Sequence, residues 1–327
     1  MKKIFLLLSI CIVGYIPTTE AAYVLKNGRL VDVKEIAEFP MQEHYNLGTK
    51  AIKEKQWEEA IRQFRIVIIN FPDADLATES LYFLGMAYYH DGDVDLSNKK
   101  FSLYLEKQRN PQYFIEAFRY KLAIAHAFSD GARKHLFDQE KLPKIFAARE
   151  EAIQLYDEIA NALPNHELAA KALFAKAGLL RDEKDFKSSV ETYQAIIRKF
   201  PQTEFASESY VKIATTLLEE CQVEFHNPDL LTTAEISLKK FARDFPKATE
   251  QLEQSAALLQ EMKEVYAVGL YETGRLYERK SEPKASVIYY HQALLQFPQT
   301  KIAKECKMRI QHLEKYAKEI QLPENLS

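Results

Sequence analysis

Residues 57–72 read WEEAIRQFRIVIINFP. Ala60 is small, Phe64 follows one helical turn later, and Phe71-Pro72 ends the stretch. Side chains four apart share a helix face, so a small residue beside a large one lets a neighbouring helix approach and fill the space. Proline cannot continue a helix and suits a place just past its end. Four more stretches align with this one without gaps: REEAIQLYDEIANALP (149–164), FKSSVETYQAIIRKFP (186–201), LLTTAEISLKKFARDFP (230–246) and PKASVIYYHQALLQFP (283–298). Their small-then-large pairs are Ala152/Tyr156, Ser189/Tyr193, Ala234/Leu238 and Ser286/Tyr290. Asn110-Pro111 is a weaker stop of the same kind. Six stops imply six helix ends.

A preceding helix accompanies most of these stretches, marked by Leu47-Gly48, by Leu84-Gly85 with Tyr88, by Ala177, by Ala214 and by Gly274 with Tyr277. A helical Gly costs about 1 kcal/mol relative to Ala, so a repeated one points to tight helix packing. The spacing from His44 to Pro72 through Leu47, Gly48, Ala60 and Phe64 resembles the tetratricopeptide repeat, and Leu270 to Pro298 repeats it. The expected fold is all-α: a tetratricopeptide-type helical-repeat solenoid of about six helix pairs with a C-terminal capping helix, IAKECKMRIQHLEKYAKEI. Residues 1–21 read as a signal peptide, 22–40 as an N-terminal extension, and 41–327 as the solenoid, with repeats ending near 72, 111, 164, 201, 246 and 298. Within the extension, Asn27-Gly28 between short apolar runs predicts a hairpin over Tyr23–Asp32. Long loops are expected from Ser129 to Ile145 and from Cys221 to Asp229.

Composition agrees with a helical fold. Only 9 of 327 residues are Gly, and 44 basic residues nearly cancel 47 acidic ones. No basic stripe suits nucleic acid. Lys2 and Lys3 precede an apolar run from Ile4 to Ile16, which is too short to span a bilayer and reads as an export signal. Two processing routes are open: cleavage between Ala21 and Ala22, or acylation of Cys11 in the lipobox-like Leu8-Ser9-Ile10-Cys11. Cys221 and Cys306, on separate repeats, are too few for a disulfide framework and read as small buried hydrophobes.

No catalytic, cofactor or metal constellation emerges. GxGxxG, P-loop, GxSxG, HExxH and paired CxxC motifs are absent, and the eight histidines are dispersed. Function is expected from binding, on the surface lined by the first helix of each pair. The expected groove residues are Tyr45, Thr49 and Lys53; Tyr82, Met86 and Tyr89; Phe174, Gly178 and Arg181; and Tyr271, Arg275 and Glu278. Aromatics with a few polar neighbours suit an extended or helical peptide.

From about Gln42 to Tyr316 the chain resembles the BamD-like (ComL or YfiO) outer-membrane assembly lipoproteins. The resemblance rests on the helix pairs ending in FP-type stops, the insertion in the third repeat, and the closing stretch from AEISLKKFARDFP through EMKEVYAVGLYETGRLYERKSEPKASVIYYHQALLQFPQTKIAKEC. It implies a periplasmic scaffold on the inner face of the outer membrane, held by an N-terminal lipid. It also implies two kinds of partner: a BamA-like barrel protein at the C-terminal repeats and unfolded outer-membrane proteins at the N-terminal ones. A soluble periplasmic adaptor for envelope or division machinery would use the same groove, and an enzyme on a helical scaffold is the third alternative.

Overall fold

The computed structural model describes residues 23–26, 29–107, 110–136, 142–224 and 227–313. Cys11, Ala21, Ala22 and the Asn27-Gly28 turn lie outside them, as does the chain beyond residue 313. Two compact units divide after Tyr113.

In the first unit, β1 (Tyr23–Lys26) and β2 (Arg29–Asp32) pair antiparallel, Tyr23 opposite Asp32 and Lys26 opposite Arg29. A 3-10 turn follows, held against the first helix pair by Asn70. Its Nδ2 donates to the carbonyl of Glu35 at 2.7 Å, and its Oδ1 accepts from the Ala37 N–H at 3.2 Å. Four helices complete the unit: α1 (Met41–Lys53), α2 (Trp57–Asn70), α3 (Asp75–His90) and α4 (Val94–Lys107).

The second unit opens with α5 (Phe114–Ser129) and α6 (Arg149–Ala162), and continues with α7 (Glu167–Asp182) paired with α8 (Phe186–Lys199). Next come α9 (Glu204–Val223) with α10 (Pro228–Asp244), then α11 (Thr249–Arg279) with α12 (Pro283–Gln296), and finally α13 (Lys301–His312). The fold among the described residues is thus nearly all-α, with thirteen helices packed as adjacent pairs. α11 is 31 residues long and packs on α9, α10, α12 and α13.

Glycine decides how closely the paired helices sit. A Cβ built on Gly48 would meet the Phe64 ring at 2.8 Å, one on Gly85 the Phe101 ring at 3.0 Å, and one on Gly274 the Tyr290 ring at 2.5 Å. All three rings are completely buried. The small residues on the second helices complete the contact. Ser97 Oγ donates to the Gly85 carbonyl at 2.7 Å and Ser189 Oγ to the Ala177 carbonyl at 2.8 Å, each satisfying a buried hydroxyl.

The turns inside four of the pairs repeat one device. Lys55, Gly92, Lys184 and Ser281 have φ of 57°, 87°, 65° and 60°. After each, the next N–H reaches the carbonyl five residues back: Gln56 to Ala51, Asp93 to Tyr88, Asp185 to Leu180 and Glu282 to Tyr277, at 2.8–3.0 Å. This closes the last helical turn and reverses the chain. The FP-type stops work differently. Phe71, Leu163, Phe200, Phe245 and Phe297 hold φ from −127° to −134° with ψ from 52° to 63°. The following proline disfavours the helical conformation at these positions.

Both expected long loops differ. Between α5 and α6 the chain forms a second antiparallel pair, β3 (Arg133–His135) with β4 (Lys144–Ala147). Buried His135 ties the pair to the carbonyl of Leu142 through Nδ1 at 2.7 Å, and Lys134 ion-pairs with Glu151 of α6. The segment expected to loop out from Cys221 instead begins as helix, because the buried Cys221 side chain keeps α9 going to Val223. Pro228 then opens α10, capped by Asn227, whose Oδ1 accepts from the Asp229 N–H at 3.2 Å.

Candidate partner-binding surfaces

Helices α1 and α3 carry the expected groove residues of the first unit, and the structure divides them. Tyr82 is only 4 % exposed and stacks on Tyr113 with ring centroids 4.3 Å apart. It also meets Phe101 at 5.7 Å and Tyr104 at 5.5 Å. Tyr82 is therefore a packing residue, contrary to the sequence expectation, because α3 buries Leu81, Leu84, Ala87 and Tyr88 around much of its circumference. Tyr45, Thr49, Met86 and Tyr89 are half-buried, and Lys53 is exposed.

The face of α1 and α3 is organised by residues the periodicity did not single out. Phe83, half-buried, stacks on Phe64 at 5.5 Å and takes the edges of Tyr45 at 6.1 Å and Tyr113 at 5.6 Å. The Tyr113 hydroxyl donates to Glu79 Oε1 at 3.2 Å. Burial and then the neighbouring Glu79 carboxylate push the Tyr45 hydroxyl above the ordinary tyrosine range, keeping it a neutral donor. Thr49 Oγ1 donates to the Asn46 carbonyl at 2.9 Å, which leaves its methyl and an accepting oxygen to present. Tyr89 and His90 meet edge to face, and the His90 ring also stacks with Trp57 at 4.6 Å.

In the second unit Phe174 is half-buried and packs edge-on against Tyr193 at 5.4 Å and Phe205 at 5.7 Å. Gly178 has room: a Cβ there would meet only the Tyr193 hydroxyl, at 3.8 Å. Arg181 donates to Asp182 at 2.9 Å and lies 3.7 Å from Glu219 of α9, so it bridges α7 and α9. Tyr271, only 9 % exposed, joins the ring of Tyr290 at 5.5 Å and is likewise a packing residue rather than a groove residue. Its hydroxyl accepts from Arg275 Nη1 at 3.3 Å. Glu278 stands 3.7 Å from both the Arg275 and the Arg309 guanidinium, linking α11 to α13. Arg275 and Glu278 are half-buried.

An uncharged cavity of about 580 Å³ lies between α10, α11 and α12. Leu231, Leu270 and Phe297 form its apolar part, with Gln292 and Gln296 as amides beside them. Tyr289 also lines it and is stacked on Tyr277 at 5.3 Å. Among the described residues no group of three or more His, Cys, Asp or Glu side chains is placed to hold a metal ion, and no helix is long and apolar enough to cross a membrane. Cys221 and Cys306 are free and buried, and burial pushes the Cys306 thiol up to about 11. A thiol held protonated in this way is a weak nucleophile.

The YfiO family, described as outer membrane lipoprotein, matches residues 37–220, which run from the entry to α1 almost to the end of α9. No curated protein matches the chain. Among solved structures, MamA from Desulfovibrio magneticus RS-1 is similar at 17% identity and a TM-score of 0.36, over 66% of this chain and 96% of that one. A tetratricopeptide repeat protein from Parabacteroides merdae is similar at 10% identity and a TM-score of 0.39, over 84% and 98%.

Proposed function

We propose, since the chain belongs to the YfiO family of outer membrane lipoproteins, that this non-catalytic repeat scaffold serves the outer-membrane β-barrel assembly machinery. It binds a BamA-like barrel protein through the repeats of its second unit and unfolded outer-membrane proteins through those of its first. The observation that carries this reading is the family match, which spans the first four helix pairs in full. The surfaces support it. In the first unit, Tyr45, Thr49, Met86 and Tyr89 are half-exposed beside exposed Lys53, so apolar side chains of an extended chain meet ring and thioether surface with donors at the edge. In the second, Phe174, Arg181, Arg275 and Glu278 offer one ring and a mixed-charge set for a folded partner. The protein works on the periplasmic side of the outer membrane, attached through an acylated Cys11.

Co-purification of the full-length protein under native conditions tests the role. Recovery of a BamA-like barrel protein is the expected result. Recovery of envelope or division proteins alone would replace the assembly role with that of a periplasmic adaptor. The mass of the mature N-terminus tests attachment: a diacylated or triacylated Cys11 is expected, and a free Ala22 would remove the anchor.

A further inference from the structure

Between α9 and α11 the second unit carries a groove of about 490 Å³. Its apolar part is Leu218, Val265 and Val268, and Val268 is 39 % exposed. Glu261 and Glu272, both exposed, stand along it on α11, and no Lys or Arg lines it. A third carboxylate, Glu264, is already engaged, because its two oxygens accept from the N–H groups of Lys301 and Ile302 at 2.8 and 3.0 Å and so cap α13. Glu261 and Glu272 lie eleven residues apart on one helix, about 16 Å along its axis at 1.5 Å per residue. The apolar residues Val265 and Val268 fall between them. The order along α11 is therefore acidic, apolar, apolar, acidic.

Gly269 leaves the floor of the groove open. Inside this chain Gly48, Gly85 and Gly274 each receive a ring from the adjoining helix. Gly269 lies in the middle of α11 and lines the 490 Å³ groove on one side and the 580 Å³ cavity on the other. A residue without a side chain there lets an incoming group approach the helix backbone closely.

We propose that this groove docks a cationic amphipathic segment of a partner protein, with apolar side chains seated on Leu218, Val265, Val268 and Gly269 and flanking Lys or Arg side chains meeting Glu261 and Glu272. The inference rests on the scaffold reading above and specifies the chemistry of one partner contact. Opposite charge steers the segment and sets its register, while the apolar floor supplies burial. The same carboxylates repel an acidic peptide and an anionic lipid surface.

The test uses the full chain and a labelled 14-residue helical peptide of Leu and Lys, with a mirror peptide in which Glu replaces every Lys. Fluorescence anisotropy should show saturable binding of the first, weakening at least tenfold between about 50 mM and 500 mM salt, where screening becomes short-ranged. Glu261→Lys with Glu272→Lys should weaken it at least tenfold, and so should Val268→Asp. Glu253→Lys, at an exposed position of the same helix outside the groove, should change it less than twofold. All four positions are exposed, and an unchanged unfolding midpoint checks that each variant is folded. Equal weakening by Glu253→Lys, no effect of Val268→Asp, or comparable binding of the mirror peptide overturns the proposal. If native co-purification recovers the barrel protein while the peptide fails to bind, the groove assignment falls and the scaffold role stands. If the peptide binds as expected and no barrel protein is recovered, the reverse holds.

Discussion

Replacing a helical Gly by Ala removes backbone freedom from the unfolded chain and is worth about 1 kcal/mol of stability when the site has room. Gly178 has room, since the nearest group to a new methyl is the Tyr193 hydroxyl at 3.8 Å. Gly274 has none: the same methyl would stand 2.5 Å from Tyr290 Cε1, 2.8 Å from Cδ1 and 2.9 Å from Cζ. Carbon atoms rest about 3.5–4.0 Å apart, so the ring must retreat by about 1 Å. It cannot do so freely, because Tyr290 is completely buried and Ala293 and Cys306, equally buried, belong to the same cluster. Overpacking of this kind costs about 1–3 kcal/mol, and the propensity gain offsets about 1 of that. Gly178→Ala is therefore expected to stabilise by about 1 kcal/mol and Gly274→Ala to destabilise by up to about 2 kcal/mol. Both glycines lie in the second unit, so urea unfolding followed by far-ultraviolet circular dichroism compares them within one body. The companion Gly274→Ala/Tyr290→Leu removes the ring, so part of what Gly274→Ala loses should return relative to Tyr290→Leu alone. A shift of both single variants in the same direction, or no coupling in the double variant, would refute the close-approach argument.

Tyr82→Ala should cost roughly 3–5 kcal/mol, as truncation of a fully packed aromatic does, while half-buried Tyr89→Ala should cost far less; thermal unfolding of the two variants measures the difference. Burial, and after it the Glu224 carboxylate, raises the carboxyl pKa of Glu220 in the folded chain. Its unfavourable effect is absent below the unfolded value of about 4.3 and grows as pH rises through the folded one. Glu220→Gln should therefore raise the melting temperature at pH 7.5 and leave it unchanged near pH 4, and melting curves at the two pH values decide this. Lys184 holds a φ of 65° that a side chain tolerates poorly. Lys184→Gly is expected to gain roughly 0.5 kcal/mol after the extra entropy of an unfolded Gly is deducted, and a chemical denaturation series reads it.

How much of this could be read in advance depended on whether a residue's chemistry is local. The FP-type stops were legible because a proline forbids the same backbone conformation wherever it occurs. The Ser97/Phe101 pair, which packs against Gly85 as the others pack against their glycines, escaped notice. Pro111 comes two residues later after Ser97 than Pro72 comes after Ala60, so alignment from the stop misses the register. The β3–β4 hairpin was equally hidden, since strands of three and four residues are too short to show alternation. For the groove, periodicity put Tyr82 in the wrong role and passed over Phe83. In a helix that is apolar on most sides, spacing alone does not separate the face toward a partner from the face toward the next repeat. Arg275 and Glu278 stay half-buried, since charged side chains resist complete burial.

The length of α11 has a mechanical consequence. At 1.5 Å per residue its 31 residues form a rod of about 46 Å, with the elements preceding it, α9 and α10, and those following it, α12 and α13, as neighbours. Repeats joined by loops can fray one at a time from an end, but these four helices share a single beam. Loss of α12 and α13 would strip the Gly274 end of the rod of its packing while the other end stayed clamped by α9 and α10, and a load applied at α13 would be felt at α10 without passing through any loop.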